Sequence, residues 1–149
     1  MEKLLLKACQ NGQKGVVTTF LKKDGINVNA VDEQGMAPIH YACSKGYRDI
    51  VKLLLEKEAD VSMVSNRSVT PLHMAVSSGN KEIIKMLVDA GADVNATDKE
   101  GKSVLIYGVE ARKVEAVKCL VSLGADTTLM DNTNRTALDY ANALGLTQL

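Results

Sequence analysis

From Lys81 to Asp89 the apolar side chains Ile83, Ile84, Leu87 and Val88 recur at spacings of one, three and four, laying one stripe along a predicted helix. Gly91, which tolerates the left-handed conformation, predicts its stop. Upstream, Thr70 offers a capping hydroxyl and Pro71 stands where a first helical turn has no use for an N–H, so another helix is predicted from there to Gly79. Ahead of such pairs lie polar stretches, Asp32 to Gly35 or Asp98 to Gly101, whose glycines permit the positive φ of a tight turn or short hairpin.

This pattern returns every 33 residues. The shift superimposes Ala59-Asp60 on Ala92-Asp93 and Ala125-Asp126, Leu54 on Leu87 and Leu120, and Ile50 on Ile83, Ala116 and Leu149. It also pairs Pro38-Ile39-His40 with Pro71-Leu72-His73, Ala42 with Ala75 and Ala141, and Gly46 with Gly79 and Gly145. The units are 32–64, 65–97, 98–130 and 131–149, the last incomplete. Residues 1–31 fit as a divergent first unit through Ala8, Gly12 and Val28-Asn29, with one extra residue near Asp24-Gly25. Two helices of about ten residues cannot bury their apolar stripes alone, so the units must stack. A bulky side chain at the Ala42, Ala75 and Ala141 slot would push the stack apart.

A period of 33 that carries Thr-Pro-Leu-His-x-Ala in full at Thr70 to Ala75, with Gly-Ala-Asp-Val-Asn at 91–95, resembles the ankyrin repeat over essentially the whole chain. The resemblance implies an all-α ankyrin-repeat solenoid, one domain over 1–149, of stacked helix-turn-helix units with projecting β-turn or hairpin loops. A gently curved array with turns on one side is part of what it implies.

The fourth unit departs most, with Ser103-Val104 for Thr-Pro, Ile106 for His, Gly108 for Ala and Arg112 for Gly. A helix-interior Gly costs about 1 kcal/mol relative to Ala, so this unit is expected to be locally the least stable internal repeat. Glu58 and Ser68 also replace expected glycines, so their turns should be strained or differently shaped. The final unit stops as its second helix begins, and Leu138, Leu144, Leu146 and Leu149 do not supply the polar outer face a terminal repeat needs. The chain is therefore expected to continue, in its natural context, into further repeats or another domain.

Composition narrows the function. Eighteen basic and eighteen acidic side chains cancel, and aromatics make up 3% with no Trp, so neither a general electrostatic pull toward nucleic acid nor base-stacking platforms are expected. Locally, residues 1–31 carry five basic and two acidic side chains, whereas 32–64 carry four and six. The opening MEKLLLKACQ has too short an apolar run for a signal peptide or anchor, and no membrane insertion is expected. Cys9, Cys43 and Cys119 lack the paired spacing of a structural zinc site, and they read as reduced, buried residues of an intracellular protein, cytoplasmic or nuclear.

His40 and His73 share one slot, and His40 with Cys43 would share a helix face. No orienting third group or oxyanion motif accompanies them, so neither catalysis nor a metal is assigned. The resemblance implies that such a histidine bonds the backbone of the adjoining turn. No cofactor is expected.

Tyr41, Tyr107 and Tyr140 share the next slot, with Met74 completing the series. Their rings either cover gaps between helices or face a groove, where Tyr offers contact area at low entropic cost. The resemblance places partner contacts on turn tips and the exposed first-helix face. Those positions are Glu33, Gln34, Met36, Ser44 and Lys45; Asn66, Arg67, Val69, Ser77 and Ser78; Lys99, Glu100, Lys102, Glu110 and Ala111; and Asn132, Thr133 and Arg135. Their mixed polar chemistry argues against a purely greasy, acidic or basic ligand. The expected function is non-catalytic binding of another protein by a monomer. The alternative is the regulatory or recruiting part of a larger enzyme.

Overall fold

Thr70 Oγ1 accepts the backbone N–H of His73 at 3.2 Å, and His73 Nδ1 accepts the N–H of Thr70 at 3.1 Å. Two donors that a helix start leaves unpaired are satisfied by this exchange. Ser103 and Thr136 cap in the same way, each hydroxyl oxygen accepting an N–H three residues on at 3.2 Å. Ala37 has no hydroxyl, so only the reciprocal half survives there, from its N–H to His40 Nδ1 at 3.0 Å.

The computed structural model describes residues 1–146, and the expectation for Leu149 lies outside them. Nine helices form among the described residues: α1 Glu2–Gln10, α2 Lys14–Leu21, α3 Pro38–Lys45, α4 Arg48–Glu56, α5 Pro71–Ser78, α6 Lys81–Asp89, α7 Val104–Glu110, α8 Val114–Ser122 and α9 Ala137–Ala143. They make two layers. The first helices α1, α3, α5, α7 and α9 pack on one another in chain order, and the second helices α2, α4, α6 and α8 do likewise behind them. No strand occurs among the described residues, where β-structure is limited to a bridge between Thr97 and Ser103.

Burial follows the repeat. Ile83, Ile84 and Leu87 are fully buried, and Leu54 and Leu120 match them in neighbouring units; each such side chain contributes about 1.5–3 kcal/mol of transfer free energy. Ala42, Ala75 and Ala141 are fully buried where first helices meet, and Gly108 is buried with them. A Cβ on Gly108 would stand 2.8 Å from methyls of both Val76 and Val117. The glycine expected as a loss of helix propensity is therefore also a packing requirement. Cys9 and Cys43 are free and fully buried, and burial pushes the Cys9 thiol up to about 12 and raises Cys43 further.

Glu58, Ser68, Arg112 and Asn134 adopt φ between 59° and 64°. Their counterparts in other units are Gly91, Gly35, Gly79 and Gly101, all at positive φ. The turns at Glu58 and Ser68 thus stay left-handed and store backbone strain, of the order of 1–2 kcal/mol per side chain.

Each histidine joins two units. Nε2 of His40 donates to the carbonyl of Val69 at 2.9 Å, and Nε2 of His73 to that of Lys102 at 3.1 Å, while both Nδ1 atoms accept N–H groups. This network requires the neutral ring. Burial is the main cause holding both pKa values below the ordinary 6.5, since the carbonyl contacts act the other way. An unfolded histidine binds its proton near pH 6.5, before the folded one does, so stability is complete above that pH and falls as pH drops toward the folded values. Urea unfolding between pH 7.5 and 5 is expected to show this loss, at up to about 1.4 kcal/mol per pH unit for each ring. A flat profile would mean that these rings are not buried neutral. Ile106 fills the third histidine slot fully buried, so the row does not reach the last unit.

Candidate interaction surface on turn tips and first helices

The tips are built by one side chain each. Asp32 Oδ1 accepts the N–H groups of Gln34 and Met36 at 2.9 and 3.0 Å, and Asp98 Oδ1 those of Glu100 and Lys102, both at 2.9 Å. Asp131 Oδ1 serves Thr133 and Arg135 at 2.8 and 3.1 Å. In the third unit Ser65 Oγ accepts from Arg67 and Val69 at 3.3 and 3.2 Å.

A carboxylate has a second oxygen, and the tyrosines use it. The hydroxyl of Tyr107 donates to Asp98 Oδ2 at 2.6 Å, and Tyr41 and Tyr140 donate likewise to Asp32 and Asp131. The rings are half-buried, so they are tied to the tip as well as covering the helices. Burial alone would raise the Asp131 carboxyl, but the Thr133 and Tyr140 hydroxyls and two backbone N–H groups hold it well below the usual range. Burial, then the Asp98 carboxylate, pushes the Tyr107 phenol up. Aspartate nine residues before tyrosine was the available sequence signal, and the slot reading overlooked it.

Successive tips are joined through their backbones. The N–H of Asn66 donates to Gln34 O, that of Lys99 to Arg67 O and that of Asn132 to Glu100 O, each at 2.9 Å. Side-chain amides add Asn66 Nδ2 to Glu33 O at 2.8 Å and Asn132 Nδ2 to Lys99 O at 3.2 Å. Gly35 and Gly101 lie under these asparagines, where a Cβ would come within 2.7 and 2.6 Å of Oδ1.

The expected contact residues divide by exposure. Glu33, Gln34, Ser44, Lys45, Asn66, Arg67, Lys99, Glu100, Glu110, Asn132, Thr133 and Arg135 are exposed, whereas Met36, Tyr41, Met74, Ser77, Ser78, Lys102, Tyr107 and Ala111 are half-buried. Val69 is only 8% exposed and its carbonyl is held by His40, yet it belongs to the lining of the recess described next. Ser78 also spends its hydroxyl internally, donating to Ala75 O at 2.8 Å and Cys43 O at 3.1 Å.

One recess of about 740 Å³ gathers Gln34, Met36, Asn66, Arg67, Val69, Met74, Ser77, Glu100, Lys102, Tyr107, Glu110 and Ala111. Arg67 pairs with Glu100 at 2.9 Å and Lys102 with Glu110 at 3.1 Å along its rim. Glu33, Tyr41, Ser44, Lys45, Ser78, Lys99, Asn132, Thr133 and Arg135 do not line it. Glu33 instead borders a recess of about 710 Å³ with Lys3, Leu6, Lys7 and Gln10, residues that the sequence reading missed, and Gln34 borders both recesses. Lys7 and Gln10 stand 34 residues before Tyr41 and Ser44, so the offset caused by the extra residue hid them.

No group of three or more His, Cys, Asp or Glu side chains among the described residues is arranged to hold a metal, and no described helix is long and apolar enough to cross a membrane. The family described as "Ankyrin repeats (3 copies)" matches residues 2–65 and 72–147, and "Ankyrin repeats (many copies)" matches 46–88. Among individual proteins, the chain is 44% identical over 61 residues to human BCL-6 corepressor-like protein 1, covering 41% of this chain and 3% of that protein. An ankyrin repeat protein of Fowlpox virus (strain NVSL) is 37% identical over 60 residues, 40% of this chain and 14% of the relative. Acyl-CoA-binding domain-containing protein 6 of Rattus norvegicus is 33% identical over 57 residues, 38% of this chain and 20% of the relative. Each match therefore spans a minor part of the relative.

Proposed function

This chain belongs to the ankyrin-repeat family, whose repeats are generally non-catalytic protein-interaction modules, and from that premise we propose that it is an adaptor or targeting segment, one domain over 1–149, that as a monomer holds another protein against its turn tips and first-helix face. The observation that carries this reading is the backbone ladder joining the tips. Because main-chain groups fix the loops, Arg67, Lys99 and Glu100 stand exposed on a rigid frame, and little ordering entropy is left for binding to cost. Three free, buried thiols support a reducing intracellular compartment, cytoplasm or nucleus. A recruiting or regulatory role inside a larger enzyme is the second reading, supported by relatives of which the matched stretch is 3%, 14% and 20%.

The test compares two surfaces. A partner captured on the wild-type chain should bind at least about tenfold more weakly when Arg67, Lys99, Glu100 and Lys102 are changed together to Ala. Changing Lys52, Lys85 and Lys118, exposed on the second helices, should leave its affinity intact. The reverse result would move the binding face to the second-helix layer and overturn the reading.

A further inference from the structure

The third unit is the odd member of the tyrosine row. Where Tyr41, Tyr107 and Tyr140 each donate to a tip aspartate, this unit has Met74 and Ser65. The two differences belong together. Ser65 has one side-chain oxygen, and it is engaged by the N–H groups of Arg67 and Val69, so a phenol at position 74 would find no carboxylate to hold it.

The missing ring coincides with the 740 Å³ recess. Among its lining are Met36, Val69 and Met74, two flexible thioethers and a valine that adapt to an apolar guest. Its charged rim is already neutralised within the protein, Arg67 by Glu100 and Lys102 by Glu110. A charged guest would find its countercharge there already engaged, whereas an uncharged apolar one asks for none. Ser77 stands in the wall and makes no side-chain hydrogen bond among the described residues, leaving its hydroxyl for a guest's backbone.

We infer that this recess is the anchor subsite of the binding face, taking one uncharged apolar side chain from an extended segment of a protein partner. The inference rests on the protein-binding reading above and adds where the anchor sits and what it accepts. Specificity comes from the Ser65/Met74 pair, because the Asp/Tyr pair of the other units would replace the flexible thioether in the lining by a phenol tied to the tip.

The test installs that pair. Ser65→Asp with Met74→Tyr copies a combination the chain already uses three times, and its thermal unfolding should match or exceed wild type. A phage-displayed random peptide library selected on the wild-type chain should yield peptides sharing one uncharged apolar residue. Alanine at that residue, or the double substitution in the protein, should weaken binding by at least about tenfold. With methyl-labelled methionine, these peptides should shift the Met36 and Met74 signals and leave Met130, outside the recess, unmoved; this readout stands even if the double variant fails to fold. Peptides that bind the double variant equally, share a charged residue instead, or leave both methyl signals unmoved would overturn the anchor assignment. A library yielding no peptide, while a captured partner still depends on Arg67 and Lys99, would also sink the anchor and spare the protein-binding reading. Loss of both dependences would remove that reading itself.

Discussion

Replacing His73 by Ala is expected to lower the unfolding free energy by about 3 kcal/mol, one of the two largest effects anticipated for this protein. The ring is fully buried and its nitrogens serve opposite directions, Nδ1 toward Thr70 in its own unit and Nε2 toward Lys102 in the next. Truncation leaves the Thr70 N–H without its acceptor, at about 1–3 kcal/mol for a buried group left unsatisfied, and takes from the Lys102 carbonyl one of two donors, the Asp98 N–H remaining at 2.9 Å. It also empties the space beside Tyr107, whose ring meets the imidazole edge-on at 4.4 Å between centroids. Urea unfolding at pH 7.5 measures the loss, and the same variant should show a shallower decline between pH 7.5 and 5. A loss below about 1 kcal/mol would mean that the histidine fills space without joining the units.

Gly108→Leu is expected to cost as much, about 3 kcal/mol, by wedging α7 away from α5 and α8. The first carbon of the new side chain already falls 2.8 Å from Val76 and Val117, and those valines are 0% and 4% exposed. Gly108→Ala sets two terms against each other: helix propensity gains about 1 kcal/mol, and two tight methyl contacts oppose it. The alanine variant is accordingly expected near wild type or below it. Thermal unfolding of the pair separates the terms, and a leucine variant as stable as wild type would show that first helices here tolerate separation.

How far these features could be foreseen depends on whether a residue's partner lies within its own unit. The apolar stripe of α6, the Thr70 and Pro71 start of α5 and its Gly79 stop were legible, because each depends on neighbours a few positions away. So was the small slot at Ala42, Ala75 and Ala141, which the 33-residue shift exposes. Gly108 was legible only as a departure, since its valine neighbours belong to α5 and α8. Val69 looked like an exposed residue because its position follows the tip; the recess it lines requires knowing where Met36 and Met74 lie. The phenol-to-aspartate contact was written in the sequence at a constant spacing of nine, yet comparing units one slot at a time reads each column alone and never the pair.

The terminal flank shows the expected apolar character, with Leu138 62% exposed and Leu144 and Leu146 half-buried. It borders a recess of about 710 Å³ that also includes Val121 and Met130.

The main-chain rungs between Gln34 and Asn66, Arg67 and Lys99, and Glu100 and Asn132 have a geometric corollary. Loops chained in this way cannot swing apart one by one, so they act as a ruler with set graduations. A ligand that touches three of them must carry its own contact groups at that pitch, and inserting a single residue between two such groups throws every later contact out of step.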